Sequence, residues 1–293
     1  MQSMEKTTTK RTWLFYALVT TAFWGVWGAF IELPEKAGFP ATLGFSVWAL
    51  TMIPCALVVL RNVGWRLEYD RRSIMLGMMV GLFGAGGQLL LFHALKEGPA
   101  YVVFPIISLY PVLTIFLSLF LLGERASKRH WAGIVLALIA IYFLSYQEPK
   151  DGGFQGYGWL VLTVLVFILW AVQAYVMKLS NKVMKAESIF FYMMLSGVAL
   201  IPVAVAMTDF SQPINWGLKG PWLAALIHLL NAIGALTLVY AMRDGKAIIV
   251  TPLTGLAPVI TVILSLVLYA VVPGTFLTIG LVIAFVAIYL LSD

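Results

Sequence analysis

The sequence predicts an all-α integral membrane protein with ten transmembrane helices, arranged as two inverted five-helix repeats. Three observations carry that expectation. Of 293 residues, 61% are hydrophobic and only 11% charged, with a mean hydropathy of +0.95, which is more apolar surface than a soluble core can hide. Stretches of roughly 17 to 25 residues run almost without charge, about the length one helix needs to cross ~30 Å of hydrocarbon. The third observation is that the second half of the chain repeats the first.

Helices must do the spanning. A membrane β-barrel alternates polar and apolar residues in segments of ~10 residues, whereas 112–122 and 259–270 are apolar on every face. Apolar runs set against turn formers and charges give spans near 12–33, 42–60, 73–95, 99–122, 130–146, 157–179, 187–208, 219–242, 246–270 and 274–291. The polar, basic stretch 1–11 reads as a cytoplasmic tail. The run after it carries Trp24, Trp27 and Phe30, where a cleaved leader needs a shorter core and small residues, so the first helix is expected to stay uncleaved.

Basic residues set the orientation, because short cytoplasmic loops carry the excess of Lys and Arg. With the N-terminus inside, the inner segments hold fourteen: Lys6, Lys10, Arg11, Arg61, Arg66, Arg71, Arg72, Arg125, Lys128, Arg129, Lys182, Lys185, Arg243 and Lys246. The outer segments hold four: Lys36, Lys96, Lys150 and Lys219. Both termini are therefore expected in the cytoplasm, and the brief loops fit a cell membrane of the bacterial inner-membrane kind. The net charge of +6 is spread one or two residues per loop, a topology signal that points to no nucleic-acid partner.

Composition also excludes chemistries. A single cysteine, Cys55, forms no internal disulfide and no metal cluster, and the three histidines are dispersed. No phosphate-binding loop, His-Glu-x-x-His or nucleophile elbow occurs, so no cofactor, metal or catalytic residue is expected.

The duplication emerges when the chain is laid on itself at an offset of about 147 residues. Segment 94–145 falls on 241–292 without a gap, with roughly twenty identities in about fifty positions. Gly98, Ala100, Pro105, Pro111, Thr114 and Ser118 match Gly245, Ala247, Pro252, Pro258, Thr261 and Ser265, and Gly133 matches Gly280. The units are 12–147 and 148–293, after the 1–11 tail. Each holds an odd number of spans, so the second enters the membrane from the opposite side, the symmetry from which alternating access follows.

Certain motifs point further. Phe23-Trp24-Gly25 has its counterpart in Leu169-Trp170-Ala171. The stretch Ala94-Leu95-Lys96-Glu97-Gly98-Pro99-Ala100 leads to Tyr110-Pro111-Val112, and Leu121-Leu122-Gly123-Glu124-Arg125 precedes a span containing Gly133. On these residues nearly the whole chain resembles the drug/metabolite transporter superfamily, specifically its EamA-type ten-helix members. The second copy departs from the pattern, with Ala270-Val271-Val272 in place of Gly123-Glu124-Arg125. The resemblance implies a secondary transporter of a small polar or amphipathic metabolite in a lipid bilayer, driven by the substrate's own gradient or by protons, with a cavity lined by spans 1, 3, 4, 6, 8 and 9. It names no substrate. Monomer and homodimer both stay open, and a membrane-embedded enzyme or a passive channel stands as the alternative.

Candidate residues each carry two readings. Pro111 and Pro258, with Pro105 and Pro252, make spans 4 and 9 irregular, either as moving gates or as structural kinks. Trp24, Gly28 and Glu32 share a face of span 1, and Trp170, Ala174 and Lys178 a face of span 6; the charges are gate anchors or snorkelling groups. Gly77, Gly81, Gly84 and Gln88 form a stripe suited to close helix approach with one amide inside. Gln88, Gln173, His228 and Asn231 are intramembrane polar groups, hence either substrate contacts or interhelical hydrogen bonds. Tyr110, Tyr240, Tyr175 and Trp27 join Trp24 and Trp170 as aromatic rings that line a site or belong to packing and interfacial belts. His93 reads as a helix terminus.

Overall fold

The structure, a computed structural model, describes residues 2–98, 100–146, 157–269 and 274–292, with side chains from residue 12 onward except at 100, 101, 105, 145, 265 and 269. The 148–153 loop, Lys150, Val271-Val272 and the side chain of Pro105 lie outside the described residues. Every regular element among the described residues is helical: α1 Gln2–Phe30, α2 Glu32–Lys36, α3 Ala41–Asn62, α4 Arg71–Glu97, α5 Ala100–Ser108, α6 Tyr110–Leu121, α7 Lys128–Ser145, α8 Gly158–Ser180, α9 Ala186–Ala199, α10 Ile201–Ala206, α11 Leu223–Asp244, α12 Ala247–Thr254, α13 Ala257–Tyr269 and α14 Thr275–Leu291, with a π turn at Leu218–Trp222 before α11.

Among the described residues, eight helical stretches are long and apolar enough to cross a membrane, and Thr275–Leu291 is a shorter apolar helix. The remaining expected span, 130–146, falls on α7. The outer faces carry exposed Phe15, Phe120, Val161, Val267 and Val282, a surface that suits hydrocarbon and not water. The interior is a contiguous cluster that includes Met52, Met177, Ile189, Phe190, Met242, Ile248, Leu253 and Leu256, all fully or almost fully buried.

Proline decides where helices stop. Pro34 has no N–H to give the carbonyl of Phe30, and its ring crowds that oxygen; α1 accordingly ends at Phe30 and Glu32 starts the separate α2. Ile31 at the break keeps right-handed helical dihedrals, φ −56° and ψ −32°, and Thr12–Lys36 runs as one apolar stretch that carries Trp24, Gly28 and Glu32. The span expected at 187–208 breaks at Leu200, with Pro202 in the first turn of α10.

Two further breaks are copies of one another. Before Pro111, Leu109 N donates to Ile106 O at 3.3 Å and Val112 N to Leu109 O at 2.9 Å; before Pro258, Leu256 N donates to Leu253 O at 3.2 Å and Val259 N to Leu256 O at 2.9 Å. Both tightened turns follow from the same missing donor at the same register, so the irregularity expected of spans 4 and 9 is present in each.

Helices α7 and α14 pack through their glycines. A Cβ on Gly133 would sit 3.0 Å from Leu290 Cβ and Leu291 Cγ, and one on Gly280 3.0 Å from Phe143 Cβ and 3.1 Å from Leu144 Cγ. Each early glycine meets the end of the other helix, so the two run antiparallel with reciprocal contacts.

Candidate functional site

The first polar cluster lies where α1 meets α11 and α3. Gly234 lets the Trp24 indole come close against α11; a Cβ there would fall 2.4 Å from Trp24 Cδ1. So held, Trp24 Nε1 donates to the Asn231 main-chain oxygen at 3.3 Å. Trp27 Nε1 donates to His228 Nδ1 at 3.2 Å, and Trp48 Nε1 donates to Asn231 Oδ1 at 2.8 Å. His228 is 8% exposed and its Nε2 lies over Gly44 of α3, 3.3 Å from where a Cβ would stand. Beside them Thr20 and Thr237 hydroxyls pair at 2.8 Å, and Thr261 donates to Gly25 O at 2.8 Å, tying α13 to α1.

The second cluster lies where α8 meets α4 and α6. Gly87 makes room for Trp170, whose Nε1 would be 2.5 Å from a Cβ there; the indole donates to Gly84 O at 3.3 Å. Tyr110 stands edge-on to Trp170, ring centres 6.0 Å apart at 82°. Thr114 donates to Ala171 O at 3.2 Å. The Gln173 amide lies over Gly84, with Nε2 2.2 Å from an ideal Cβ. The glycine stripe works as close-approach surface along its length, since Gly77 and Gly81 receive Tyr192 and Ser196 of α9. Gln88 and Gln173 are both half-buried and make no hydrogen bond to another described residue.

Other candidates sit elsewhere. Tyr240 lies nine residues along α11 from Asn231, about 13 Å by helix rise; it donates to Glu187 Oε1 at 2.8 Å and stacks on Tyr16 with ring centres 5.0 Å apart. Lys178 Nζ donates to the carbonyls of Met242 at 2.9 Å, Arg243 at 3.3 Å and Gly245 at 2.6 Å, closing the C-terminus of α11 where a cation is favourable. Glu32 pairs with Lys36 at 2.7 Å in the open. Pro111 is buried and Pro258 half-buried beside their breaks. His93 pairs with Glu97 at 3.1 Å near the end of α4. An apolar groove of about 390 Å³ between α3 and the start of α11, lined by Val47, Leu50, Thr51, Pro54, Pro221, Trp222 and Ala225, includes none of the candidates. No group of three or more His, Cys, Asp or Glu among the described residues is placed to hold a metal.

Sequence reasoning passed over Trp48 and Glu187. A tryptophan in an apolar run looks like packing or belt, and nothing local marks Trp48. Glu187 did carry a signal, an acid at the head of an apolar span, and is buried at 8% exposure.

The model of the EamA-like transporter family matches this chain twice, over residues 11–146 and again over 157–293. The chain belongs to the EamA-like transporter family. It is similar to an uncharacterised protein of Methanocaldococcus jannaschii, 29% identical over 137 residues that make up 47% of this chain and 98% of that one. It is also similar to a probable 4-amino-4-deoxy-L-arabinose-phosphoundecaprenol flippase subunit, ArnE, of Pectobacterium atrosepticum, 36% identical over 77 residues, 26% of this chain and 68% of that one. A crystal structure superposes with a TM-score of 0.76 at 19% identity, covering 94% of this chain and 97% of the other, a likeness of fold.

EamA-like membership makes the chain a multi-pass membrane protein of a transporter family and gives the acidic corner a visible task. Gly123 has φ +65°, which only glycine adopts without strain, and the turn delivers Glu124 to the head of α12, where its carboxylate accepts from Ile248 N at 3.0 Å. Lys246 Nζ donates to Arg125 O at 2.6 Å. The corner of the first EamA-like segment thereby caps a helix of the second.

Proposed function

We propose that this protein is a secondary transporter of ten spans in two inverted five-helix copies, moving a small polar or amphipathic metabolite by alternating access. The observation that carries the reading is a reciprocal hydrogen bond: Trp24 donates to the carbonyl of residue 231 and Trp170 to that of residue 84, both at 3.3 Å. Positions 24 and 170 correspond in the repeat, as do 84 and 231. Thr114 on Ala171 O and Thr261 on Gly25 O form another such pair, and the antiparallel glycine contacts of α7 and α14 form a third. Exchange of partners between equivalent positions is what a twofold axis in the membrane plane produces. Two matches to one family model and a relative about half as long support the same duplication.

Alternating access then follows from breaking and remaking one copy's contacts while the other's hold. Trp24, Tyr110, Trp170, Gln173, Gln88, His228 and Asn231 supply the rings and amides of the substrate path. Pro111 and Pro258 supply flexible breaks, and Lys178 holds one end. The name of the Pectobacterium relative, a flippase subunit, supports movement of a substrate across a membrane. Purified protein in proteoliposomes should accumulate members of a labelled metabolite pool with saturation and counterflow. A proton ionophore that collapses accumulation assigns coupling to protons, flux without saturation or counterflow makes the protein a channel, and no flux with chemical conversion of the pool makes it an enzyme.

A further inference from the structure

The cluster between α1, α3 and α11 sorts its polar atoms by role. Nδ1 of His228 accepts from Trp27, so the ring proton resides on Nε2. Oδ1 of Asn231 accepts from Trp48, so the amide turns its NH₂ away from that indole. Even the main-chain oxygen of Asn231 accepts from Trp24. Three indole N–H groups thus occupy both side-chain acceptors of these two residues and the main-chain oxygen of Asn231.

What stays open are donors. His228 Nε2–H and the Asn231 NH₂ make no hydrogen bond to a described residue, and neither is among the buried polar atoms sealed off without a partner. Residues 228 and 231 are one turn apart and share a face of α11. Unpaired donors inside a membrane protein are costly unless an acceptor meets them. Acids within reach of these helices are engaged elsewhere: Glu32 with Lys36 and Glu187 with Tyr240.

We infer that this part of the site recognises the oxygen acceptors of a carboxylate or carbonyl compound with an apolar body, and that Trp48 is a positioning residue that makes Asn231 a donor. An organic cation would face two N–H groups, with His228 Nδ1, Asn231 Oδ1 and the Asn231 main-chain oxygen each already taken by an indole. The apolar body meets the faces of Trp24 and Trp27. The inference rests on the transporter reading above and narrows its substrate class.

The test uses one skeleton with three heads, 3-phenylpropionate, 3-phenylpropionamide and 3-phenylpropylammonium, titrated against the full chain in nanodiscs by thermal shift and tryptophan fluorescence. The acid and the amide should bind saturably and the ammonium should not. Trp48→Phe keeps an aromatic ring, smaller than the indole, but loses the N–H; it should weaken the acid roughly tenfold and let the ammonium bind, because Asn231 is then free to turn its oxygen outward. Asn231→Asp should shift preference toward the ammonium. Melting of each ligand-free variant shows that it folds. Wild-type binding of the ammonium as tight as the acid, binding of none of the three, or a Trp48→Phe that loses affinity without changing the acid-to-ammonium preference each overturns the inference. Acid binding with these dependences in a protein that moves no labelled pool would leave the inference standing and sink the transporter reading; uptake of the pool with the opposite head preference would do the reverse.

Discussion

Trp24 and Trp170 make the same hydrogen bond to opposite halves of the chain, each indole donating at 3.3 Å to a carbonyl one turn before the glycine on which it rests, Gly234 or Gly87. Their surroundings are not the same. Trp24 has His228 and Asn231 on the helix it touches, whereas the equivalent positions facing Trp170 are Gly81 and Gly84, and Gln173 fills that space from α8. The backbone frame is therefore shared and the chemistry is not, which is what the proposed inverted pair would need in order to bind an asymmetric ligand.

Trp24→Phe and Trp170→Phe should consequently cost the ligand-free protein similar stability, ~0.6 kcal/mol each for one intramembrane hydrogen bond. Parallel thermal melts of the two variants check this. Both should lose metabolite uptake by a larger factor than stability accounts for, and a variant that melts early yet transports normally would assign its tryptophan to packing alone.

Gly87→Ala and Gly234→Ala place a methyl 2.5 Å from Trp170 Nε1 and 2.4 Å from Trp24 Cδ1, a degree of crowding that typically costs ~1–3 kcal/mol. Gly86 has nothing within 4 Å of its virtual Cβ, so Gly86→Ala should be neutral or gain up to ~1 kcal/mol from helix propensity. Denaturant unfolding in mild detergent separates the three.

Lys178→Met removes the cation from the three carbonyls that end α11. Folding should survive, with a loss of ~1 kcal/mol, while uptake falls severalfold because α8 and α11 no longer close together at that end. Glu124→Gln, which keeps an acceptor for Ile248 N, should transport better than Glu124→Ala. Equal loss of folded yield and uptake in Lys178→Met would make the lysine a structural cap.

Orientation is read with Cys55, the single cysteine, replaced by serine. A cysteine at Lys150 should react with an impermeant thiol reagent applied outside intact cells, and one at Arg66 should react only after the membrane is opened. The reverse pattern would invert the protein while leaving the duplication intact.

Pro111→Ala and Pro258→Ala restore a donor at the two matched breaks. Each should straighten its helix, preserve folded yield and change the rate of uptake; the measurement is initial rate against the amount of folded protein recovered.

Much of this was legible in the residues alone, for identifiable reasons. Charge-free runs set the helices because hydrocarbon offers the backbone no partner but itself. Paired prolines foretold the two breaks because a missing N–H acts wherever the fold puts it, and the small-residue stripe of α4 foretold close packing because glycine leaves no alternative use for that face. Other features could only be settled by tertiary contact. Glu32 is turned to Lys36 in the open, and Tyr240 is drawn to Glu187 at the far end of α11. Trp48 looks like any apolar-run tryptophan until α3 packs on α11 and brings it to Asn231, 183 residues away in sequence. Local covalent and hydrophobic rules act within a helix turn and so are written in the sequence, whereas the role of an indole N–H or an amide depends on which atom the packed bundle sets opposite it.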